Sequence, residues 1–173
     1  YGLKNIPKSD EGKLACIYPN KEFFFQKGIT FSGVGLYSPT YRLSSSTLFE
    51  QKAGSGIFIK KKWENYISYE FLLGMVCSKL VRYIQRCFIN NTVNFFVTDV
   101  RKTPICLCNK LLKNKIENLV KEIIKKQKKD PDYNYQNHEQ KEIDKLVYEI
   151  FGLDQELIDE VETWYARRWP KVS

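Results

Sequence analysis

The sequence has little of what several classes of protein require. None of its 173 residues lies in a run approaching the ~18–20 apolar residues of a membrane-spanning helix, and the start carries no secretory signal pattern. We therefore expect no membrane partner. Hydrophobic residues make up 43% of the chain and aromatic residues 14%, so the chain can bury a core of its own.

Metal-binding residue types are also scarce. Cys106 and Cys108 are close together, but the chain has a single histidine, His138, and no second cysteine pair, so we expect no zinc site. The five cysteines are odd in number and lack the spacing of a disulfide framework, which favours reduced thiols and a cytoplasmic protein. The chain begins at Tyr1 and not at a methionine, which favours a piece excised from a longer protein.

Positive charge is present in excess, and it is unevenly distributed. The chain carries 28 Lys and Arg against 20 Asp and Glu, a net charge of +8. Residues 1–105 contain 15 of the basic residues and 7 of the acidic ones, whereas residues 106–173 contain 13 of each. A basic surface confined to one region predicts a polyanionic ligand, because neutralised phosphates release counterions. A solvated, lysine-rich surface without a ligand is the alternative.

The longest apolar pattern predicts a helix from Ser68 to Asn90. Its apolar residues recur every four positions and form one stripe: Leu72, Val76, Leu80, Ile84 and Phe88. Ser68 can cap the first turn, and Glu70 suits the positive end of the helix dipole. Three basic residues fall together away from this stripe, so the helix is predicted to carry a basic edge: Lys79, Arg82 and Arg86.

Short extended segments surround this helix in residues 1–105. Thr92–Thr98 is rich in β-branched and aromatic residues and predicts a strand. From Glu22 onward, turn residues separate five further extended runs: Phe23–Phe25, Ile29–Phe31, Leu36–Tyr41, Thr47–Glu50 and Ile57–Lys60.

Beyond Pro104 the pattern is helical. It predicts a lysine-rich helix over 109–129, a second helix ending before Gly152, and a final helix capped by Asp154. The fold class is therefore predicted to be α+β. A small β-rich lobe with a central helix (1–105) is followed by a C-terminal helical lobe (106–173), and together they form one domain.

Five short motifs follow one another along the chain. They are K-G-I-T-F-S (27–32), G-S-G-I-F (54–58), L-L-G-M-V-C-S-K-L (72–80), V-N-F-F-V-T-D-V-R-K-T-P-I (93–105) and L-V-Y-E-I-F-G-L-D (146–154). In this order they resemble the TaqI-like specificity domain. That domain is the target-recognition part of adenine-N6 DNA methyltransferases and of type IIG restriction-modification enzymes.

The resemblance implies a non-catalytic domain that recognises double-stranded DNA. Its other partner would be the catalytic methyltransferase domain of the same parent chain, in the cytoplasm of a bacterium or archaeon. The fragment would hold no cofactor. S-adenosylmethionine, with Mg²⁺ as a further candidate, would belong to the parent, a site-specific methyltransferase with or without a fused restriction endonuclease.

The resemblance and the basic region together give a set of expected DNA-binding residues. Basic side chains would hold the phosphate backbone: Lys27, Arg42, Lys52, Lys79, Arg82, Arg86, Arg101 and Lys102. Loop and strand residues would reach base edges, and Arg42 belongs to this group as well: Thr30, Ser32, Tyr37, Ser38, Tyr41 and Asn94. Ser55 is a further expected DNA-binding residue.

Two other function classes stay open at this stage. A helical protein-interaction module would use the apolar stripes and bind no DNA. A methyltransferase fragment with cofactor binding would use Phe31–Gly35 (F-x-G-x-G) and Asp130–Tyr133, which resembles D-P-P-Y. The first lacks a following cofactor-domain helix and the second follows a helix instead of a strand, so we expect no catalysis by this chain.

Overall fold

A computed structural model describes residues 20–35, 38–46 and 55–168. Three short strands, β1 (Gly28–Phe31), β2 (Tyr41–Ser44) and β3 (Ser55–Ile57), form an antiparallel sheet in the order β2-β1-β3. Ile29 lies opposite Leu43 on one side and Ile57 on the other. The prediction of a strand at Ile29–Phe31 is confirmed.

The sheet has one buried and one polar face, because side chains alternate along a strand. Ile29, Phe31 and Tyr41 are buried on the inner face. Thr30 lies between Arg42 and Gly56 in register, and these residues belong to the outer face.

Three of the other predicted extended runs have a different outcome. Phe23–Phe25 is not extended, because Lys21–Phe23 forms a 3-10 turn and Phe25 has a positive φ of 62°. The run at 47–50 lies outside the described residues, and the run at 36–41 lies partly outside them.

Six α-helices follow the sheet. They are α1 (Tyr69–Cys77), α2 (Lys79–Ile84), α3 (Val97–Lys102), α4 (Lys110–Lys129), α5 (Glu139–Phe151) and α6 (Gln155–Arg168). The predicted start signals are confirmed, since Ser68 accepts a hydrogen bond from the Phe71 amide at 3.1 Å and Asp154 accepts one from the Leu157 amide at 2.9 Å. The predicted stop at Gly152 is confirmed by its left-handed φ of 65°. No helix in the described ranges is long and apolar enough to cross a membrane.

The prediction of one continuous helix from Ser68 to Asn90 is wrong. Ser78 is extended and separates α1 from α2, and a π-helical turn at Gln85–Ile89 follows. The Ser78 hydroxyl donates to the Met75 carbonyl at 2.7 Å and accepts from the Val81 amide at 3.3 Å. A serine that satisfies the backbone on both sides of itself offers the chain an alternative to continuous helix.

The predicted strand at Thr92–Thr98 is also wrong. Only an isolated bridge between Val34 and Asn94 forms, and α3 begins at Val97. Polar side chains satisfy this backbone instead: the Thr92 amide donates to Asn90 Oδ1 at 2.9 Å, and the Phe96 amide donates to Asp99 Oδ2 at 2.9 Å. Asn90 in turn donates to the same Asp99 oxygen at 2.7 Å, so one network replaces the strand ladder.

Helix α1 belongs to two hydrophobic cores. Leu72 and Val76 pack against the inner face of the sheet together with Phe95. Phe71 and Met75, on the other side of α1, pack into a core built by α2, α4, α5 and α6. The structure is thus α+β with a C-terminal helical region, as predicted.

Close contact between α1 and α4 depends on Gly74. A Cβ atom at this position would lie 2.6 Å from Ile116 Cγ2 and 3.2 Å from Val120 Cγ2. The missing side chain lets the two helices approach each other, which holds the sheet and the helical region in one unit.

Candidate nucleic-acid interface

The basic residues of α2 make contacts inside the protein. Lys79 Nζ lies 2.6 Å from Glu162 Oε2 of α6 and 5.2 Å from the centre of the Tyr165 ring. Arg82 Nη1 donates to the Tyr165 hydroxyl at 3.1 Å. Both side chains therefore connect α2 to α6.

Arg86, in the π-helical turn, is buried. Its guanidinium donates to three backbone carbonyls: Nη2 to Gly35 at 3.0 Å, and Nη1 to Thr92 and, at 3.4 Å, to Asn90. Burial lowers the pKa of this group, with the nearby Arg168 charge acting in the same direction.

The prediction of a solvent-facing basic edge on this helix is therefore wrong. Lys79 and Arg82 meet α6, and Arg86 meets the loops at Gly35 and Thr92, so the fold covers these side chains. A helical pattern shows which residues share a face, and it does not show what packs on that face.

Two expected site residues at the sheet are also engaged. Tyr41 is buried, its hydroxyl accepts a hydrogen bond from Gln85 Nε2 at 2.7 Å, and burial raises its pKa. Lys27 forms an ion pair with Glu70 at 2.7 Å. Burial raises the Glu70 pKa, but the hydrogen bond and charge of Lys27, a backbone hydrogen bond and the Lys121 charge together outweigh this effect and leave the pKa below its usual value.

The expected base-reading hydroxyls make short-range contacts. Ser32 Oγ accepts from the Thr40 amide at 2.9 Å, whereas Thr30 and Ser38 donate to the Arg42 and Pro39 carbonyls, each at 3.5 Å.

Four other expected residues remain, two in the described part of the chain and two outside it. Asn94 is exposed in the loop before α3, and Ser55 is half-buried on β3. Tyr37 and Lys52 lie outside the described residues.

Three expected cations remain exposed. Arg42 extends from the outer face of the sheet, and Arg101 and Lys102 lie in the last turn of α3. Each is free of ion pairs with the described part of the chain.

The turn between β3 and α1 carries further exposed cations that the sequence analysis did not select. Lys60, Lys61 and Lys62 are all exposed, and Trp63 and Tyr66 beside them are 42% and 59% exposed. The two rings pack edge to face with centroids 5.9 Å apart, and Lys62 Nζ lies 5.7 Å from the Trp63 ring centre. We call residues 60–66 the basic-aromatic turn. The sequence signal was the run K-K-K-W itself.

Hydrogen bonds fix the basic-aromatic turn at the start of α1. The Trp63 amide donates to the Lys60 carbonyl at 2.8 Å, and the Ile67 amide donates to the Trp63 carbonyl at 2.9 Å. The Ile59 amide donates to the Tyr69 hydroxyl at 3.2 Å, which ties the turn to α1. The exposed lysines are thus presented on an ordered segment.

The two methyltransferase-like fragments show ordinary local roles. Phe31–Gly35 leaves β1, and its Gly35 carbonyl accepts from Arg86. Asp130–Tyr133 is a turn after α4 in which Asp130 Oδ1 accepts from the Asp132 amide at 3.1 Å. Across the described ranges, no cluster of three or more His, Cys, Asp or Glu side chains is suited to a metal ion.

Comparison with known proteins identifies no family for this chain. No protein-family model matches it, and no curated protein matches its sequence.

Proposed function

We propose that this chain is a non-catalytic DNA-binding domain that selects the target sequence for an adenine-N6 methyltransferase. The carrying observation is exposed positive charge that forms no ion pair with described residues. Within the described part of residues 20–105, six exposed cations form no ion pair: Arg42, Lys60, Lys61, Lys62, Arg101 and Lys102.

Exposed cations without acidic partners suit a phosphate backbone. Each phosphate that they neutralise releases condensed counterions, which drives association with a polyanion. The outer face of the sheet adds small and polar groups, Thr30 and Gly56, beside Arg42, so a nucleic acid can approach the backbone closely there.

The aromatic part of the basic-aromatic turn supports nucleic acid over a generic anion. Trp63 and Tyr66 expose ring surface beside three cations, and aromatic rings can pack against sugars and against unpaired bases, which small anions lack. We choose a methyltransferase as the partner because the five motifs occur in the same order as in the TaqI-like specificity domain that they resemble. S-adenosylmethionine would be held by that partner.

The test is fluorescence anisotropy of labelled duplex DNA over a salt series. Replacing Lys60, Lys61 and Lys62 together by Ala should weaken binding and reduce the slope of log K against log salt by up to about 2.7, at about 0.9 per phosphate contact. The matched control is Lys115→Ala with Lys125→Ala on α4, since both are exposed and form no ion pair with described residues.

The control variant should bind as wild type does. Absence of salt-dependent binding by the wild-type chain, or equal losses in the two variants, would refute the proposed surface. Incubation of the same duplex with tritiated S-adenosylmethionine should leave the DNA unlabelled, whereas incorporation above a protein-free blank would show a catalytic fragment instead.

A further inference from the structure

A groove of about 500 Å³ lies between β2 and α4, with α1 at its base. Strand β2 is the edge of the sheet in the described part of the chain. The volume falls within the range of small-molecule sites. The groove is separate from the basic-aromatic turn, although Arg42 borders it.

The interior of the groove is aliphatic. Leu43, Leu73 and Ile124 line it and are half-buried, so each leaves part of its apolar surface open to the groove. Val120 and Ile123 line it as well and are buried. This arrangement favours a ligand with an apolar body, because such a ligand removes open apolar surface from water.

The rim of the groove is cationic. Helix α4 turns from apolar to polar along the same face, since Gln127 and Lys128 follow Ile123 and Ile124 by one helical turn. Lys128 borders the groove from α4, and Arg42, an outer-face residue of the edge strand β2, borders it from the other side. Both are exposed and form no ion pair with described residues.

The other polar groups of the rim are occupied or neutral. Lys27 is held by Glu70 and Gln140 by Asp144. Among the described lining residues there is no carboxylate. The net charge facing a ligand at the rim is therefore positive.

We infer that this groove binds a small amphipathic anion, namely an aliphatic chain that ends in a carboxylate. The chain would lie against Leu43, Leu73 and Ile124, and the carboxylate would face Arg42 and Lys128. A guanidinium binds the two oxygens of a carboxylate side by side, which favours this headgroup. The inference stands independently of DNA binding.

The experiment uses dansyl-undecanoate, a fluorescent long-chain carboxylate, titrated with the whole chain. Fluorescence should rise to saturation, and dodecanoate should displace the probe. Dodecanol has the same chain without the charge, so it should displace the probe at least about 10-fold less effectively if the rim recognises an anion.

Three variants and one control, Lys125→Ala, locate the site. Lys128→Ala and Arg42→Ala should each weaken probe binding by about 3- to 10-fold, whereas Lys125→Ala, on another face of α4, should have no effect. Ile124→Trp would place a large side chain into the groove at a half-buried position and should abolish binding. Its thermal melt shows whether it folds, and Lys128→Ala remains decisive if it does not.

Several outcomes would overturn the inference. They are no saturable binding by the wild-type chain, equal displacement by dodecanol and dodecanoate, or affinities that are unchanged in both Lys128→Ala and Arg42→Ala. A loss of DNA binding in Lys60–Lys62 variants with probe binding intact would confirm that the two surfaces are distinct.

Discussion

Two regions of this molecule carry three basic residues each, and they use them differently. The segment from α2 into the π-helical turn has Lys79, Arg82 and Arg86, whose side chains bind a carboxylate, a tyrosine hydroxyl and backbone carbonyls. The basic-aromatic turn has three adjacent lysines that are exposed and free of ion pairs with described residues. Equal charge in the sequence thus corresponds to structural anchoring in one region and to open positive surface in the other.

The difference comes from long-range packing. Glu162 and Tyr165, the partners of Lys79 and Arg82, are about 80 residues further along the chain, and they meet α2 only because α6 packs there. The basic-aromatic turn has no such covering element in the described residues. A count of charges therefore predicts a basic region, whereas the tertiary fold decides which charges remain available to a ligand.

The largest effect that separates the two uses of charge is expected for Arg86→Ala. Three backbone carbonyls would lose a charged donor at a part-buried site, so the free energy of unfolding should fall by about 3 kcal/mol. Arg101→Ala is the matched comparison, because Arg101 is exposed in the last turn of α3, and it should change stability by no more than about 0.5 kcal/mol. Chemical denaturation of both variants measures the difference. Equal losses would mean that Arg86 is not an anchor.

A second effect concerns Asp144, which holds the start of α2. This carboxylate is 2% exposed and accepts from the Lys79 amide at 2.9 Å and from Gln140 at 3.1 Å, while Oδ2 has no partner in the described structure. Burial raises the pKa of Asp144 to about 6. The free carboxyl has a pKa of about 3.9, so the folded state retains a proton that the unfolded state releases.

The pKa of Asp144 is higher in the folded state than in the unfolded state, so stability falls as the pH rises. The contribution of Asp144 to stability is fully present below about pH 4 and is lost as the pH rises to about 6. Asp144→Asn keeps the accepting Oδ1 but cannot ionise. Between about pH 4 and pH 7.5, unfolding free energies should therefore shift in favour of the variant, relative to wild type, by on the order of 2–3 kcal/mol. A constant difference across this range would contradict a buried, titrating Asp144.

The smallest effect distinguishes the exposed cations from one another. If Arg42 and Arg101 each contact one phosphate, single replacement by Ala should lower the slope of log K against log salt by about 0.9 for duplex DNA. If Arg42 reads a base, the Ala variant should keep the wild-type salt slope. The difference in binding free energy between preferred and other sequences should then fall by about 1–3 kcal/mol. Anisotropy titrations with two unrelated duplexes separate these outcomes. Silence of both variants would leave Lys102 and the lysines of the basic-aromatic turn as the remaining candidates among the described exposed cations.

Local signals in the sequence predicted much of the helical region. Helix α4 starts after Asn109, whose side chain accepts from the Leu112 amide at 3.0 Å, and it ends at Lys129 as the pattern indicated. Gly152 and Asp154 mark the break between α5 and α6. These helix ends depend on residues within one turn of each other, so they can be predicted from the local sequence.

The errors lie where side chains compete with regular structure. Ser78 interrupts a stripe that is otherwise continuous, and Asn90 with Asp99 satisfies a backbone that β-propensity assigned to a strand. The basic edge was assigned without knowledge of α6. In each case the structure depends on a hydrogen-bonding partner that cannot be identified from the spacing of hydrophobic residues.

The position of α1 between two cores makes folding a property of the whole domain. Phe71 and Met75 pack in the helical core, and Leu72 and Val76 pack in the sheet core. Unfolding of α1 would therefore remove buried residues from both cores. The two cores should melt in one cooperative transition, and a chain cut after residue 105 would leave the helical half with a missing side. Any ligand that stabilises the sheet also raises the melting temperature of the distant helices.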